Sequence, residues 1–149
     1  MPMDQAFLGR SFPFAEPYEV GIEKIRQFAE AIGDDNLLYH DRVAAQHAGH
    51  PSVVAPPTFA IQVIARAQDA VMFDPALGLD FSRVVHLDQR FEHLRAIYAG
   101  DVLSCVVTVE SIKVLAGNDV LTVRTDVTDI ENAPVCSAWG TLVSRAAAS

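Results

Sequence analysis

The stretch Thr58–Phe73, T-F-A-I-Q-V-I-A-R-A-Q-D-A-V-M-F, decides the fold. It contains no glycine or proline. Phe59, Ala60, Ile61, Val63, Ile64, Ala65, Ala67, Ala70, Val71 and Met72 leave it apolar around most of the helical wheel. A helix with so little polar surface belongs inside a molecule rather than on it. Pro57 stands where the first turn would begin, a position at which its missing N–H costs nothing. The pattern predicts a buried central helix.

Upstream, Phe7–Val20 carries Pro13 and Pro17 and reads as extended chain with at most a short strand. Ile22, Ile25, Phe28, Ala29 and Ile32 then recur at helical spacing with Gly33 as a stop, which predicts a helix over Gly21–Ile32. Asp34–His40 is a polar loop. Asp41 can cap a second short helix through Ala48, ended by Gly49.

Downstream of Phe81 the period changes to two. Val85, Leu87, Gln89 and Phe91 alternate with His86, Asp88, Arg90 and Glu92. Gln89 interrupts the apolar face, so it should be buried and hydrogen-bonded, either orienting the central helix or touching a substrate. His86 and His93 are expected on the opposite, solvated face. Leu103–Val114 and Val120–Ile130 are rich in β-branched residues, with a tight-hairpin signal at Gly117-Asn118. Val135–Val143 supplies a last strand after a turn at Glu131-Asn132-Ala133, and Ala146–Ser149 should fray. The expectation is one α+β domain over residues 1–149, an antiparallel sheet curling around one long helix in the hot-dog arrangement. Dimerisation would cover its exposed sheet edge.

The 149 residues carry a formal net charge of −8, which argues against nucleic acid or an anionic membrane as partner. No apolar run approaches the roughly 20 residues needed to span a bilayer, and Met1–Arg10 shows no secretory pattern, so a cytoplasmic location is expected. An anionic ligand would need positive charge gathered locally from Arg42, Arg66, Arg83, Arg90 and Arg95. Cys105 and Cys136 stand alone in apolar segments and read as buried thiols rather than a disulfide or metal ligands. His47 and His50 flank Gly49, too isolated to suggest a metal. No metal, flavin or nicotinamide site, and no other cofactor, is expected.

Gly33-Asp34-Asp35-Asn36-Leu37-Leu38-Tyr39-His40-Asp41 resembles the hydratase motif of MaoC-like dehydratases, in which Gly-Asp-x-Asn-Pro-(Leu/Ile)-His-x-Asp precedes the central helix. Val54-Ala55-Pro56-Pro57-Thr58-Phe59 resembles the segment that leads into that helix. Val85–Phe91 and Ala99-Gly100-Asp101-Val102-Leu103 are similar to the family's strand and Gly-Asp turn. The ordered set covers most of the chain and is nearest to the small actinobacterial subunits of (3R)-hydroxyacyl carrier-protein dehydratase.

The resemblance implies reversible syn hydration of a trans-2-enoyl thioester, with an Asp and a His dividing acid and base work through a water. Backbone N–H groups at the start of the helix would hold the thioester oxygen. Asp34 takes the position of the family's carboxylate. The family's histidine position falls on Tyr39, its helix-start glycine on Pro57, and a serine two turns further along on Ala65. Tyrosine, with an ordinary pKa near ~10, is a poor proton carrier at neutral pH, and proline has no N–H. Each loss costs on the order of 10²-fold. A one-residue slip would pair Asp35 with His40 at the family's spacing instead.

Asp34 and His40 are therefore the catalytic candidates, and Tyr39, Pro57, Thr58, Phe59 and Gln89 the substrate-binding ones. The N–H groups of Thr58 and Phe59 are expected to remain available for a thioester oxygen. The implied role is the substrate-binding half of a dehydratase or hydratase, acting on acyl-coenzyme A or acyl-carrier-protein thioesters beside a catalytic MaoC-like partner. A self-sufficient homodimeric hydratase and a non-catalytic acyl-thioester binding protein are the alternatives.

Overall fold

The computed structural model describes residues 2–146, so the expected fraying beyond Ala146 lies outside the described residues. Four long strands form the body of one antiparallel sheet: β3 (Val84–His93), β4 (Val102–Leu115), β5 (Asn118–Thr128) and β6 (Pro134–Ser144). Two short strands precede them, β1 (Ser11–Pro13) and β2 (Tyr18–Glu19), and both pair with β4. The order is β1-β4-β5-β6-β3, which leaves β3 at one edge.

In β5 and β6 the side chains alternate as the sequence predicts. Leu121, Val123, Thr125 and Val127 are buried on the inner face of β5, opposite Leu142, Gly140, Ala138 and Cys136 of β6. The β4–β5 hairpin turns one residue earlier than expected. Leu115 closes on Asn118, and Ala116 and Gly117 form the two-residue loop with φ of 51° and 80°. Two positive φ angles make a turn whose twist matches the flanking strands. Asn118 lies outside the loop and accepts from the Ala146 N–H at 2.9 Å.

Helix α1 (Ile22–Ala31) lays Ile25 and Ala29 into the core and ends at Gly33, whose φ of 73° reverses the chain. Helix α2 (Arg42–His47) is capped as predicted: Asp41 Oδ1 accepts from the N–H groups of Val43 at 2.8 Å and Ala44 at 3.1 Å. Helix α3 (Ala60–Met72) follows a 3-10 turn at Pro57–Phe59. Val63, Ile64, Ala67 and Val71 join Val107, Leu121 and Val123 in one core.

The structure corrects the expectation that α3 is covered on every side. Arg66, Asp69 and Ala70 are exposed, and Ile61 and Ala65 are half-buried along one flank. The reason is geometric: α3 packs mainly over β4 and β5, leaving a cleft between its flank and edge strand β3.

A second correction concerns β3. The register slips between His86 and Asp88, so Leu87 bulges out. The slip swaps the faces on either side of it. Val85 and Leu87, expected inside, are exposed at 42% and 65%. His86 pairs with Leu142, Gln89 with Gly140, Phe91 with Ala138 and His93 with Cys136, all inward-facing positions of β6. The two histidines expected on the solvent face are indeed exposed, but they stand in register with the inward row, each at the rim of a cavity beside the start or flank of α3. His93 arrives there by plain alternation from Gln89 and Phe91, and His86 by the bulge.

Cys105 and Cys136 are buried and flank Val127 on opposite sides of the same row. Two inter-strand spacings separate their Cα atoms by ~9.6 Å, beyond the ~7 Å reach of a disulfide.

Candidate functional site at the start of the central helix

The loop after α1 is shaped by its own short polar side chains. Asp34 Oδ1 accepts from the Asn36 N–H at 3.1 Å, and Asn36 Oδ1 accepts from the Leu38 N–H at 3.0 Å. Asn36 thereby opens a 3-10 turn at Leu37–Tyr39. The Leu38 carbonyl takes the Val54 N–H at 2.9 Å, tying this loop to the segment that runs into α3.

That tie brings Tyr39 to the helix start. Tyr39, Val54, Pro56, Pro57, His93 and Ile97 wall a largely apolar cavity of about 290 Å³. His93 Nε2 donates to the Pro57 carbonyl at 2.9 Å. Burial, reinforced by the nearby Asp34 charge, raises the Tyr39 pKa above its ordinary value of 10.0, so the phenol stays protonated as a donor.

Asp34 and His40 open elsewhere. With Glu30, Asp35 and Leu37 they line a separate, more open depression of about 490 Å³. His40 Nε2 donates to the Asp34 backbone carbonyl at 3.1 Å, and the His40 carbonyl accepts from Arg26 Nε at 3.0 Å. The slipped Asp35–His40 alignment therefore places neither residue beside Pro57. The unslipped alignment places Tyr39 there.

The helix start offers one N–H rather than two. Phe59 N–H is spent on the Pro56 carbonyl at 2.8 Å, correcting the expectation that it remains available. The Phe59 ring is fully buried, edge-on to Phe28 and Tyr18 at centroid distances of 5.5 and 6.4 Å. Phe59 is thus a core residue. Thr58 is exposed, and its N–H makes no hydrogen bond among the described residues.

Gln89 occupies a third place. Ile61, Ala65 and Gln68 of α3 face His86, Gln89 and Gly140 across a cavity of about 180 Å³. Both polar atoms of the Gln89 amide are buried without a partner among the described residues, against the expectation of a hydrogen-bonded amide. Gln68, the other amide in this cavity, gives its Nε2 to Thr125 Oγ1 at 3.0 Å. Gly140 makes the room: a Cβ there would lie 3.2 Å from Gln89 Oε1.

Four of the five arginines are engaged separately. Arg66 pairs with Glu16, Arg83 with Asp80 at 2.7 Å, and Arg95 with Asp101 at 2.8 Å, while Arg90 lies over Trp139 at 3.9 Å. Among the described residues no cluster of His, Cys, Asp or Glu could hold a metal ion, and no helix is long and apolar enough to cross a membrane. His93, His86 and Gln68 escaped sequence reasoning. Each is a lone polar residue on an apolar face, and its meaning rests on a cleft that only tertiary packing reveals.

The cavity can hold a carbonyl oxygen near Tyr39 and apolar carbons along its walls. Asp34 and His40 are not among the residues that line it; His93 is, with its Nε2 on the Pro57 carbonyl. The pattern of the family described as FAS1-like, dehydratase domain region, matches residues 6–138. A UPF0336 protein of Saccharopolyspora erythraea is 56% identical over 99% of this chain and 95% of its own. Among solved structures, a MaoC-like dehydratase superposes with a TM-score of 0.86 at 35% identity; the match covers 96% of this chain and 43% of that one. The C-terminally truncated HadBC (3R-hydroxyacyl-ACP dehydratase) complex of Mycobacterium tuberculosis gives 0.81 at 27% identity, covering 96% and 99%. The chain belongs to the FAS1-like dehydratase region family, with the hot-dog fold of the MaoC-like dehydratases.

Proposed function

We propose that this chain is the substrate-binding half of a (3R)-hydroxyacyl-thioester dehydratase, working in the hydration direction as a trans-2-enoyl-thioester hydratase, and that a hot-dog partner with an intact Asp/His pair performs the chemistry. The observation that carries this reading is the separation of Asp34 and His40 from the cavity shared by Tyr39, Pro57 and His93. A dehydratase site needs its proton carriers within about 3 Å of the reacting carbons or one water away. Here Asp34 and His40 line a different depression, His40 Nε2 is held by a backbone carbonyl, and the histidine that does line the cavity, His93, gives its Nε2 to the Pro57 carbonyl.

Tyr39 and the Thr58 N–H are suited to holding a thioester oxygen in its ground state, and the apolar walls to the first carbons of an acyl chain. Edge strand β3 supports the partner. Its outer edge has no neighbouring strand among the described residues, and Val85 and Leu87 stand exposed on it. An open apolar edge is a surface that proteins cover by pairing. The HadBC likeness makes a second hot-dog chain the natural occupant.

The test is to express the chain with and without an intact-motif hot-dog partner. Assembly into a one-to-one complex that hydrates trans-2-enoyl thioesters supports the reading. A partner that never associates removes it.

A further inference from the structure

The pocket at the helix start and the cavity beside Gln89 share no lining residue, but both lie between the same two elements. Pro57 and then Ile61, Ala65 and Gln68 of α3 follow one another on one side, and His93 and then Gln89 and His86 of β3 on the other. Phe91, packed against the core, stands between the two on β3. The pocket holds Tyr39 and His93, and the far cavity sets Gln89, His86 and Gln68 beside apolar walls at Ile61 and Ala65.

A plain alkyl chain would have no use for that far end. Burying an amide without partners destabilises a fold, yet both polar atoms of Gln89 are shielded and unpaired, with Gly140 leaving the space they occupy. Gln68 is already committed to Thr125, and His86 Nε2 donates to the Asp88 carbonyl at 3.0 Å, so neither satisfies the amide. An amide offers a donor and an acceptor together, which suits a hydroxyl.

We propose that the cavity at Gln89 is a subsite for an oxygen-bearing group, a hydroxyl in the first instance, on the distal part of the acyl chain. This rests on the acyl-thioester reading above and narrows its substrate class. His93 and Gln89 are four strand residues apart, ~13 Å. A tetrahedral carbon chain with bonds of about 1.5 Å advances ~1.25 Å per carbon. For an acyl chain that runs past Phe91 from the pocket to the cavity, the oxygen sits roughly ten carbons beyond the thioester.

The test is calorimetric binding of decanoyl-pantetheine and ω-hydroxydecanoyl-pantetheine to the full chain. The hydroxylated probe should bind about tenfold more tightly, the effect of a well-made hydrogen bond to a neutral group. Gln89→Leu should abolish or invert that preference. Gly140→Ala, which crowds the amide, should weaken it in a second background should the first variant not fold. Equal binding of the two probes, or a preference that survives Gln89→Leu, overturns the subsite while leaving the acyl site standing. Failure of both probes to bind overturns the acyl-thioester reading and the subsite with it.

Discussion

His93 Nε2 donates to the Pro57 carbonyl across 2.9 Å, joining the last residue of β3 to the first residue of the turn that begins α3. The bond ties the end of β3 to the start of α3 at the cavity that both residues line together with Tyr39. His93→Ala should cost roughly 0.5–1.5 kcal/mol of stability, the net worth of one such bond. It should also weaken binding of short acyl thioesters severalfold. Denaturant unfolding and calorimetry would check the pair of effects; unchanged binding would show that the tie does not shape the pocket.

Tyr39 is assigned here as a hydrogen-bond donor, not a proton carrier. Tyr39→Phe should weaken acyl-pantetheine binding by about tenfold. Because burial and then the Asp34 charge raise its pKa above the ordinary phenol value, the phenol stays protonated at neutral pH, and binding should hold through the neutral range and fail only in strong alkali. A loss of binding between pH 6 and 8 would point to another group.

Gln89 makes an unusual stability prediction. Replacing a buried amide that lacks partners with an apolar side chain of similar size removes a desolvation cost of about 1–3 kcal/mol. Gln89→Met should leave the melting temperature unchanged or raise it, with the distal hydroxyl preference lost. A substantial drop would mean that the amide has a structural partner in solution.

Burial pushes the Cys105 thiol up to about 12, the nearby Cys136 adding to the effect, and burial pushes Cys136 up to about 11. Both folded values exceed the ordinary 9.0, so the native state keeps protons that the unfolded chain releases. Their contribution to stability is full below pH 9 and is lost as pH rises through 11 to 12. At pH 8 the native thiols should resist alkylation and react only on unfolding. Rapid modification of the folded chain would contradict their placement.

Much of this architecture was legible in the sequence. The long strands, the capped helices α1 and α2 and the position of α3 follow from periodicity, from Asp41 and Gly33, and from Pro57. The site was legible in part. The motif register placed Tyr39 near Pro57, but nothing in the residues announced that Leu87 bulges, and that single slip decides where His86 faces. Phe59 shows the converse limit. Its position suggested an oxyanion N–H, while local 3-10 geometry consumes that donor and an aromatic cluster takes its ring. The amide of Gln89 was recognised as buried, but its lack of a partner depends on Gln68 choosing Thr125.

If this chain binds the substrate while its partner transforms it, the two halves separate in one assay. The most direct measurement is loss of enoyl absorbance from trans-2-enoyl-coenzyme A, with the purified chain and its Asp34→Asn variant, each alone and with an intact-motif partner. The expected result is no turnover from either form alone and similar turnover from both once the partner is present. Turnover by the chain alone that disappears in Asp34→Asn would contradict it, and would place the acid–base chemistry in this subunit.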